Sequence, residues 1–460
     1  MNYYLRLFLF TICFGFLANV HAQKDDAVIE SIFDEILTSD ACYENLRYLT
    51  KQIGGRLSGS PQAAAAVEWS KQVMENYGFD TVFLQEVMVP HWQRGRKEIG
   101  RVINSNKLGS FNVAVCALGN SVGTGPDGVL AQVVEVKDFG ELANLGRENV
   151  EGKIVFFNRP MDPTVIQTFQ AYGGAVNQRG SGPSEAAKYG AIGAVVRSVT
   201  TSSDNLPHTG SLSYALNVPQ IPAIAIGTKD ADLLSSLLKD DQDLKFYFET
   251  HCQMLEEKLS YNVVGQINGS EFSDEFIVVG GHLDSWDLAE GAHDDGTGCV
   301  QSIEVLRVLK ALGIKPKRSI RAVMFMNEEN GLRGGRKYAE LAQKNNEKHL
   351  AAMESDSGGF TPKGFSIDGN ENIVEKIAGW SPLFKPYKIY EFEKGGGGAD
   401  ISPLKAQEVT LIGFRPDSQR YFDYHHAAND TFEQVNKKEL QLGAAAMTSL
   451  IYLLDKYGLN

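Results

Sequence analysis

The sequence lacks any long basic segment, and it contains few cysteines and few long apolar runs. Its 460 residues include 44 lysines and arginines against 57 aspartates and glutamates, which gives a formal net charge of −13. Nucleic-acid binding depends on clustered basic side chains, so we expect no nucleic acid among the partners of this chain. The length exceeds that of one ordinary domain and indicates two or three.

No apolar run is long enough to cross a membrane, since spanning takes about 20 apolar residues. The apolar run at Leu7–Leu17 is shorter, follows the basic Arg6, and precedes a small-residue cleavage site that ends at Ala22. This pattern is typical of a secretory signal peptide over residues 1–22. We therefore expect a secreted or periplasmic protein that has no membrane anchor.

Cysteine is scarce, and no cysteine has the spacing of a metal-binding motif. An exported compartment permits disulfide bonds, but widely separated cysteines cannot be paired from sequence alone. Buried free thiols are an equally open alternative. The four cysteines that follow the signal peptide are Cys42, Cys116, Cys252 and Cys299.

The second half of the chain contains an ordered series of imidazoles and carboxylates. Two imidazoles and three carboxylates can bind two zinc-like ions if one carboxylate bridges them, and a further carboxylate remains to move a proton. The series therefore predicts a two-metal hydrolase centre. Its members are His282, Asp284, Asp294, Asp295, Glu328, Glu329, Asp356, His425 and His426.

Several of these residues follow predicted strands. His282 comes after a strand at Phe276–Gly280, and the two adjacent glutamates follow a strand at Ile320–Met326. Sites in open α/β sheets form at the carboxyl ends of strands. The alternation of buried strands with helices predicts an α/β fold, a mixed sheet with helices on both faces.

The stretches that carry the series resemble the M28 family of di-zinc aminopeptidases and carboxypeptidases. The resemblance covers nearly the whole chain after residue 22, and it is strongest with a carboxypeptidase subgroup that acts on dipeptides and short peptides. The stretches are "GGRLSGS" at Gly54–Ser60, "VPHWQRG" at Val89–Gly95, "GGHLDSWD" at Gly280–Asp287, "GAHDDGTG" at Gly291–Gly298, "MNEENG" at Met326–Gly331, "MESDSGGF" at Met353–Phe360 and "YHHAANDT" at Tyr424–Thr431.

The resemblance implies two zinc ions on either side of a bridging carboxylate. The bridge would be Asp294, followed by a cis peptide bond, because a carboxylate can present one oxygen to each ion. Taken alone, Asp294 and its neighbour could simply cap the helix that starts at Thr297. Either of the adjacent histidines could bind metal, and the family spacing favours the second. The implied ligands are His282, Asp294, Glu329, Asp356 and His426.

The resemblance also implies catalytic and substrate-contacting residues. Glu328 would take a proton from the attacking water and deliver it to the leaving amine. Asp284 would fix the orientation of His282, since the second ring nitrogen of a metal-binding histidine usually donates to a carboxylate or similar acceptor. His425 and Asp400 would contact substrate, although the glycine-rich stretch before Asp400 also fits a flexible connector.

The composition of the chain changes between residues 121 and 252. Short β-rich runs there, and a helix with "EAAKYGAIGAVV" at Glu185–Val196, resemble the protease-associated (PA) domain that is often inserted in M28 enzymes. We therefore expect a catalytic domain in two segments, residues 23–120 and 253–460. The inserted region carries none of the motifs above, so we expect it to be a lid, a partner surface or a substrate-shaping module.

Together these features predict a zinc exopeptidase that hydrolyses dipeptides or short peptides. The subgroup resemblance favours a carboxypeptidase, and an aminopeptidase of the same family is the alternative. A third hypothesis, an inactive receptor-like relative, is disfavoured because the complete ligand set and the general base are present. The resemblance also implies a homodimer.

Overall fold

The computed structural model describes residues 25–459, and in this part of the chain sixteen strands form two eight-stranded sheets. The signal peptide predicted for residues 1–22 lies outside the described residues. The strands are β1 Thr81–Gln93, β2 Ile99–Ser105, β3 Gly109–Val113, β4 Val115–Ala117, β5 Val129–Val136, β6 Ile154–Phe157, β7 Gly193–Arg197, β8 Ala223–Ile226, β9 Lys245–Glu249, β10 Gln253–Ile267, β11 Phe272–His282, β12 Arg318–Phe325, β13 Lys348–Glu354, β14 Pro362–Asp368, β15 Glu391–Lys394 and β16 Thr410–Pro416.

Capping side chains mark the start of several helices in the described chain. For example, Pro61 begins a helix whose first turn is capped by the Ser60 side chain, which accepts from the main-chain N–H of Ala63. The helices are α1 25–38, α2 Ala41–Tyr48, α3 Pro61–Asn76, α4 Phe139–Val150, α5 Thr168–Ala175, α6 Asn177–Gly180, α7 Gly182–Lys188, α8 Thr228–Asp240, α9 Thr297–Ala311, α10 Arg333–Lys344, α11 Glu371–Ala378, α12 Ser381–Phe384, α13 Tyr421–Tyr424 and α14 Lys437–Tyr457.

The first sheet has the strand order β1-β10-β12-β11-β13-β16-β14-β15. Its four central strands, β12, β11, β13 and β16, are parallel, whereas β10 and β14 run antiparallel to their central neighbours. The carboxyl ends of the four central strands therefore meet at one edge of the sheet. This is the edge where ligand sites form in open α/β sheets.

Both faces of this sheet are covered by helices, as the sequence predicted. Successive residues of a strand point to opposite faces. Accordingly, Ile277 and Val279 of β11 pack in the cluster that includes α9 and α14, while Val278 packs against α10 in a separate cluster. All three side chains are fully buried. The central strands are apolar on both faces for this reason.

The second sheet has the order β3-β2-β9-β5-β6-β7-β8-β4 and is also mixed. We call the part of the chain from Ile99 to Glu249 the second-sheet unit. Strands β2, β3 and β4 belong to it, although they lie within residues 23–120, the range predicted for the first segment of the catalytic domain. The predicted ranges and the sheets thus differ on the amino-terminal side, and the division into domains stays a prediction.

One predicted helix in the second-sheet unit is wrong in its second half. The helix expected at Glu185–Val196 ends at Lys188, and Gly193–Arg197 form β7 instead. Gly190 has a φ of +85°, a left-handed conformation that glycine adopts readily and that ends the helix. The following β-branched valines, Val195 and Val196, fit a buried strand better than a helix.

The described residues also bear on two open points from the sequence. All four cysteines in this part of the chain are buried free thiols, which decides between the two alternatives for them. None of the helices in residues 25–459 combines the length and apolar character needed to span a bilayer.

Candidate metal centre

The predicted ligands converge at the carboxyl edge of the first sheet. His282 is the last residue of β11, Glu329 lies in the loop after β12, and Asp356 lies just after β13. His426 follows α13, which comes after β16 in the chain. His282 and Glu329 are buried, whereas Asp356 and His426 are partly exposed.

Asp294 lies between two imidazoles and presents a different oxygen to each. Its Oδ1 is 3.2 Å from Nε2 of His282, and its Oδ2 is 3.3 Å from Nε2 of His426. On the first side, Nε2 of His282 is also 3.7 Å from Oδ1 of Asp356. On the second side, Nε2 of His426 is 3.1 Å from Oε2 of Glu329. The peptide bond after Asp294 is cis, as the resemblance implied.

The charge balance of this cluster fits bound cations. Among the described residues, no lysine or arginine forms an ion pair with Asp294, Glu329 or Asp356. Burial raises the pKa of Glu329 well above its usual value, and the charge of Asp294 raises it further. Oδ2 of Asp294 is buried without a hydrogen bond. Buried carboxylates need a counter-charge, and imidazole and carboxylate donors are those that zinc prefers.

The titration of Asp294 depends on the same neighbours. Burial acts to raise the pKa of Asp294, but hydrogen bonding with His282 brings it below its usual value. Asp294 is therefore ionised at neutral pH and can present both oxygens to cations.

The geometry favours His426 over His425 as the ligand of the second group. Nε2 of His425 is 3.9 Å from Asp294 Oδ2, whereas Nε2 of His426 is 3.3 Å from that oxygen and 3.1 Å from Oε2 of Glu329. The two rings are stacked with centroids 3.5 Å apart. The ring of His425 is therefore farther from the carboxylates than the ring of His426. Asp294, His425 and His426 nevertheless form a group compact enough to bind one ion.

Asp284 contacts its surroundings differently from the sequence prediction. Nδ1 of His282 donates to the main-chain carbonyl of Asp284 at 2.9 Å, while the Asp284 carboxylate is 4.0 Å from that nitrogen. The prediction that the carboxylate orients the ring is thus wrong. Instead, Oδ1 of Asp284 accepts hydrogen bonds from the main-chain N–H groups of Asn327 and Glu328, at 2.7 and 3.0 Å. Asp284 positions the segment that carries the predicted general base.

Glu328 has the environment expected of a group that takes and returns a proton. Part of the residue reaches the surface, but its carboxylate has lost most of its hydration. This desolvation, with the negative charge of Asp356 adding to it, raises the pKa of Glu328 to about 8. A general base or acid works best when its pKa lies near the working pH.

Asp400 is buried in the structure, with 1% of its surface exposed and neither carboxylate oxygen hydrogen-bonded. Burial and the charge of Glu354 raise its pKa well above the usual value. Glu354 fixes the same segment, because its two carboxylate oxygens accept the main-chain N–H groups of Ala399 and Ile401, each at 2.9 Å. Contact between Asp400 and substrate stays a prediction.

Sequence reasoning missed two buried residues that fix the loop carrying Asp294. Arg56 is fully buried and donates to three main-chain carbonyls within residues 283–291, at 2.6 to 3.0 Å. The two oxygens of Asp430 accept the N–H groups of His293 and Asp294, at 2.7 and 3.1 Å. Both lie in motifs noted in the sequence, but no pattern showed what they contact.

The second-sheet unit contributes an arginine to this centre. Arg179, on α6, is 6% exposed, and its Nη1 lies 3.4 Å from Nδ1 of His426. Its other contacts are the carbonyl of Thr209 and the hydroxyl of Tyr172, and its Nε is buried without a partner. Within residues 25–459 no carboxylate forms an ion pair with Arg179. No sequence pattern indicated this contact, because the region around Arg179 lacks catalytic motifs.

Two imidazole–carboxylate groups joined by one carboxylate, at the carboxyl edge of a mixed α/β sheet, are typical of two-metal hydrolases. Comparison with known proteins agrees: the chain belongs to peptidase family M28 and is a metallopeptidase. The sequence profile described as "Peptidase family M28" matches residues 262–451.

Similar proteins cover most of the chain. Carboxypeptidase Q of Bos taurus is 34% identical over 415 residues, which are 90% of this chain and 84% of that protein. The crystal structure of a Peptidase M28 precursor from Shewanella amazonensis SB2B has a TM-score of 0.89 and 32% identity, covering 94% of this chain and 97% of its own. Aminopeptidase YwaD of Bacillus subtilis is 25% identical over 261 residues, 54% of each chain.

These comparisons confirm the family and the mixed α/β fold predicted from the sequence, and they support an exopeptidase activity. Metallopeptidases of this family depend on zinc, and the donor set described above is compatible with that metal.

Proposed function

We propose that this chain hydrolyses dipeptides and short peptides with two zinc ions and prefers substrates with a free carboxyl terminus. The observation that carries the proposal is the position of Asp294, whose two oxygens face His282 and His426 at 3.2 and 3.3 Å. One ion would be bound by His282, Asp294 and Asp356. The other would be bound by Asp294, Glu329 and His426.

When bound, the zinc ions would polarise the scissile carbonyl and lower the pKa of the attacking water. Glu328 takes a proton from that water as the new carbon–oxygen bond forms. It then delivers the proton to the nitrogen as the carbon–nitrogen bond breaks, so the leaving group departs as a neutral amine. The N–H of Glu328 donates to Asp284 at 3.0 Å, which fixes the main chain that carries this base.

The preference for a free carboxyl terminus is supported by Arg179 and by the similarity to carboxypeptidase Q. The substrate carboxylate needs a cation, and a planar guanidinium matches a carboxylate with two parallel hydrogen bonds. Arg179 lies beside His426, and its Nε–H has no partner. We therefore propose that Arg179 pairs with the substrate carboxylate.

An aminopeptidase activity is the alternative, and the similarity to aminopeptidase YwaD favours it. The ligands and Glu328 would serve both activities, because the metals and the base act on the same scissile bond. The two functions differ in which end of the substrate must be charged.

A comparison of free, carboxy-amidated and N-acetylated forms of one dipeptide tests the end preference. We expect amidation to lower kcat/KM by about 10- to 100-fold, because a hydrogen-bonded charge pair contributes about 1.5–3 kcal/mol. Acetylation should have a smaller effect. Rapid cleavage of the amide with none of the acetylated form would instead establish the aminopeptidase.

The same substrates identify the role of Arg179. In Arg179→Gln, the free dipeptide should lose about 10- to 100-fold in kcat/KM, whereas the amide should change little. Arg197→Gln is a suitable control, because Arg197 lies in the same unit but pairs with Asp232 at 2.6 Å. An equal loss on both substrates would exclude Arg179 from carboxylate binding.

We further propose that the chain is exported, that it forms a homodimer, and that its second-sheet unit is a PA-like domain inserted into the peptidase domain. In the sequence this unit lies between β1 and β10, which are neighbouring strands of the first sheet, and this supports an inserted domain. Light scattering on the purified chain would test the dimer.

A further inference from the structure

The loop at His208–Thr209 of the second-sheet unit is hydrogen-bonded to the two adjacent histidines, His425 and His426. The N–H of Thr209 donates to the carbonyl of His426 at 2.9 Å. Nδ1 of His208 donates to the carbonyl of His425 at 2.7 Å. A third bond joins Nδ1 of His426 to the carbonyl of Thr209 at 3.3 Å. We call these three bonds the histidine clasp.

The clasp offers an acceptor to one ring nitrogen of His426. Nδ1 of His426 can donate to the Thr209 carbonyl when it carries the ring proton, and metal binding at Nε2 requires this tautomer. The Nη1–H of Arg179, which only donates, lies 3.4 Å from the same nitrogen, so the clasp and Arg179 favour opposite tautomers. In the tautomer that the clasp favours, Nε2 is the unprotonated nitrogen, and it faces Asp294 and Glu329 at 3.3 and 3.1 Å. Metal-binding histidines are usually oriented in this way by an acceptor at the second ring nitrogen.

The clasp also stabilises an uncommon backbone conformation. His426 has a φ of +63°, in the left-handed region that residues other than glycine rarely adopt. Such conformations are strained and persist where the surroundings fix them. The bonds from His208 and Thr209 fix the carbonyls on both sides of this position.

The loop that makes the clasp is itself anchored in the second-sheet unit. Both His208 and Thr209 are buried. The N–H of His208 donates to Oγ of Ser198 at 2.8 Å, and Oγ1 of Thr209 donates to the carbonyl of Ala117 at 2.8 Å. The clasp therefore connects the second sheet, through these hydrogen bonds, to the main chain of His425 and His426.

An apolar cluster next to the clasp joins the same two parts of the chain. Phe422 and Tyr421 of α13 pack with Ala171 and Val199 of the second-sheet unit. The ring of Tyr172 also stacks on Phe422 with centroids 4.9 Å apart. A movement of the second-sheet unit away from α13 would expose this cluster and break the clasp at the same time.

We infer that His208 is a positioning residue for the zinc site of Glu329 and His426, and that the second-sheet unit is a required part of the metal centre. The inference rests on the proposed function, since it concerns the same two ions. His208 acts through the main chain, because its Nδ1 donates to the carbonyl of His425, the residue next to the proposed ligand.

Zinc affinity, measured by competition with a chromogenic chelator, tests the inference without relying on activity. In His208→Leu, one of the two ions should bind at least about tenfold more weakly, because residues that orient metal ligands contribute about 10- to 100-fold. The other ion should bind as in the unsubstituted chain. His208→Asn should recover most of the loss, since its amide N–H can donate to the His425 carbonyl from a similar position.

Leu237→Ala is the matched control, because Leu237 is buried in the same unit on α8 and takes no part in the clasp. We expect it to lower the melting temperature while both zinc affinities stay unchanged. Unchanged zinc binding in His208→Leu, an equal loss in Leu237→Ala, or no recovery in His208→Asn would each overturn the inference. If the unsubstituted chain binds fewer than two ions, the proposed function fails first and the inference fails with it.

Discussion

Replacing Glu328 with glutamine is expected to lower kcat by about 10²- to 10⁴-fold while both zinc ions stay bound, because general acid–base catalysis contributes on this scale. Glutamine has nearly the same size and keeps the main-chain N–H that donates to Asp284. It cannot accept and return a proton. Steady-state kinetics on a free dipeptide, together with elemental analysis of the variant, provide the measurement.

The neighbouring residue provides the control for this experiment. Glu329→Gln should weaken zinc binding, because Oε2 of Glu329 lies 3.1 Å from Nε2 of His426 in the second ligand group. A Glu328→Gln variant with near-normal kcat and two ions would place the general base elsewhere. KM should change little in Glu328→Gln, since the lost interaction concerns the transition state.

Removing His426 is expected to have a similarly large effect, this time on metal content. His426→Ala should weaken one zinc site by more than about 100-fold, since even residues that only orient a ligand contribute about 10- to 100-fold. His425→Ala should retain two ions, because it is Nε2 of His426 that lies 3.1 Å from Oε2 of Glu329, whereas Nε2 of His425 is 3.9 Å from Asp294. Zinc titration of the two purified variants decides between the histidines, and loss of an ion only in His425→Ala would reverse the assignment.

Much of the first sheet could be predicted from sequence because its central strands are buried on both faces. Ile277, Val278 and Val279 are apolar in succession, and such runs are typical of parallel strands between two layers of helices. The proximity of His282 and Asp356 follows from the same topology, since both lie at the carboxyl ends of adjacent parallel strands.

The contacts between the two sheets could not be predicted in this way. His208 and His425 are separated by 217 positions in sequence, and neither a periodic pattern nor a motif links them. Arg179 lies in a region without catalytic motifs, so its charge gave no indication that it reaches His426. Contacts between distant parts of a chain depend on the tertiary structure, and local sequence patterns carry no information about them.

The error at Asp284 has a different origin. A carboxylate two residues after a metal-binding histidine can bond either to the ring or to a neighbouring main chain, and both arrangements satisfy its hydrogen-bonding needs. Here the carbonyl of Asp284 accepts from His282, which leaves the carboxylate for Asn327 and Glu328. Sequence spacing alone does not distinguish the two.

The most direct test of the two-ion centre is a zinc titration of the metal-free chain, with dipeptide hydrolysis followed at each addition. Two zinc equivalents per chain should bind, and activity should be absent without metal and fully restored at the second equivalent. This result would agree with an Asp294 carboxylate shared by His282 and His426. Full activity in the metal-free chain, or saturation of both binding and activity at one equivalent, would contradict the two-ion centre.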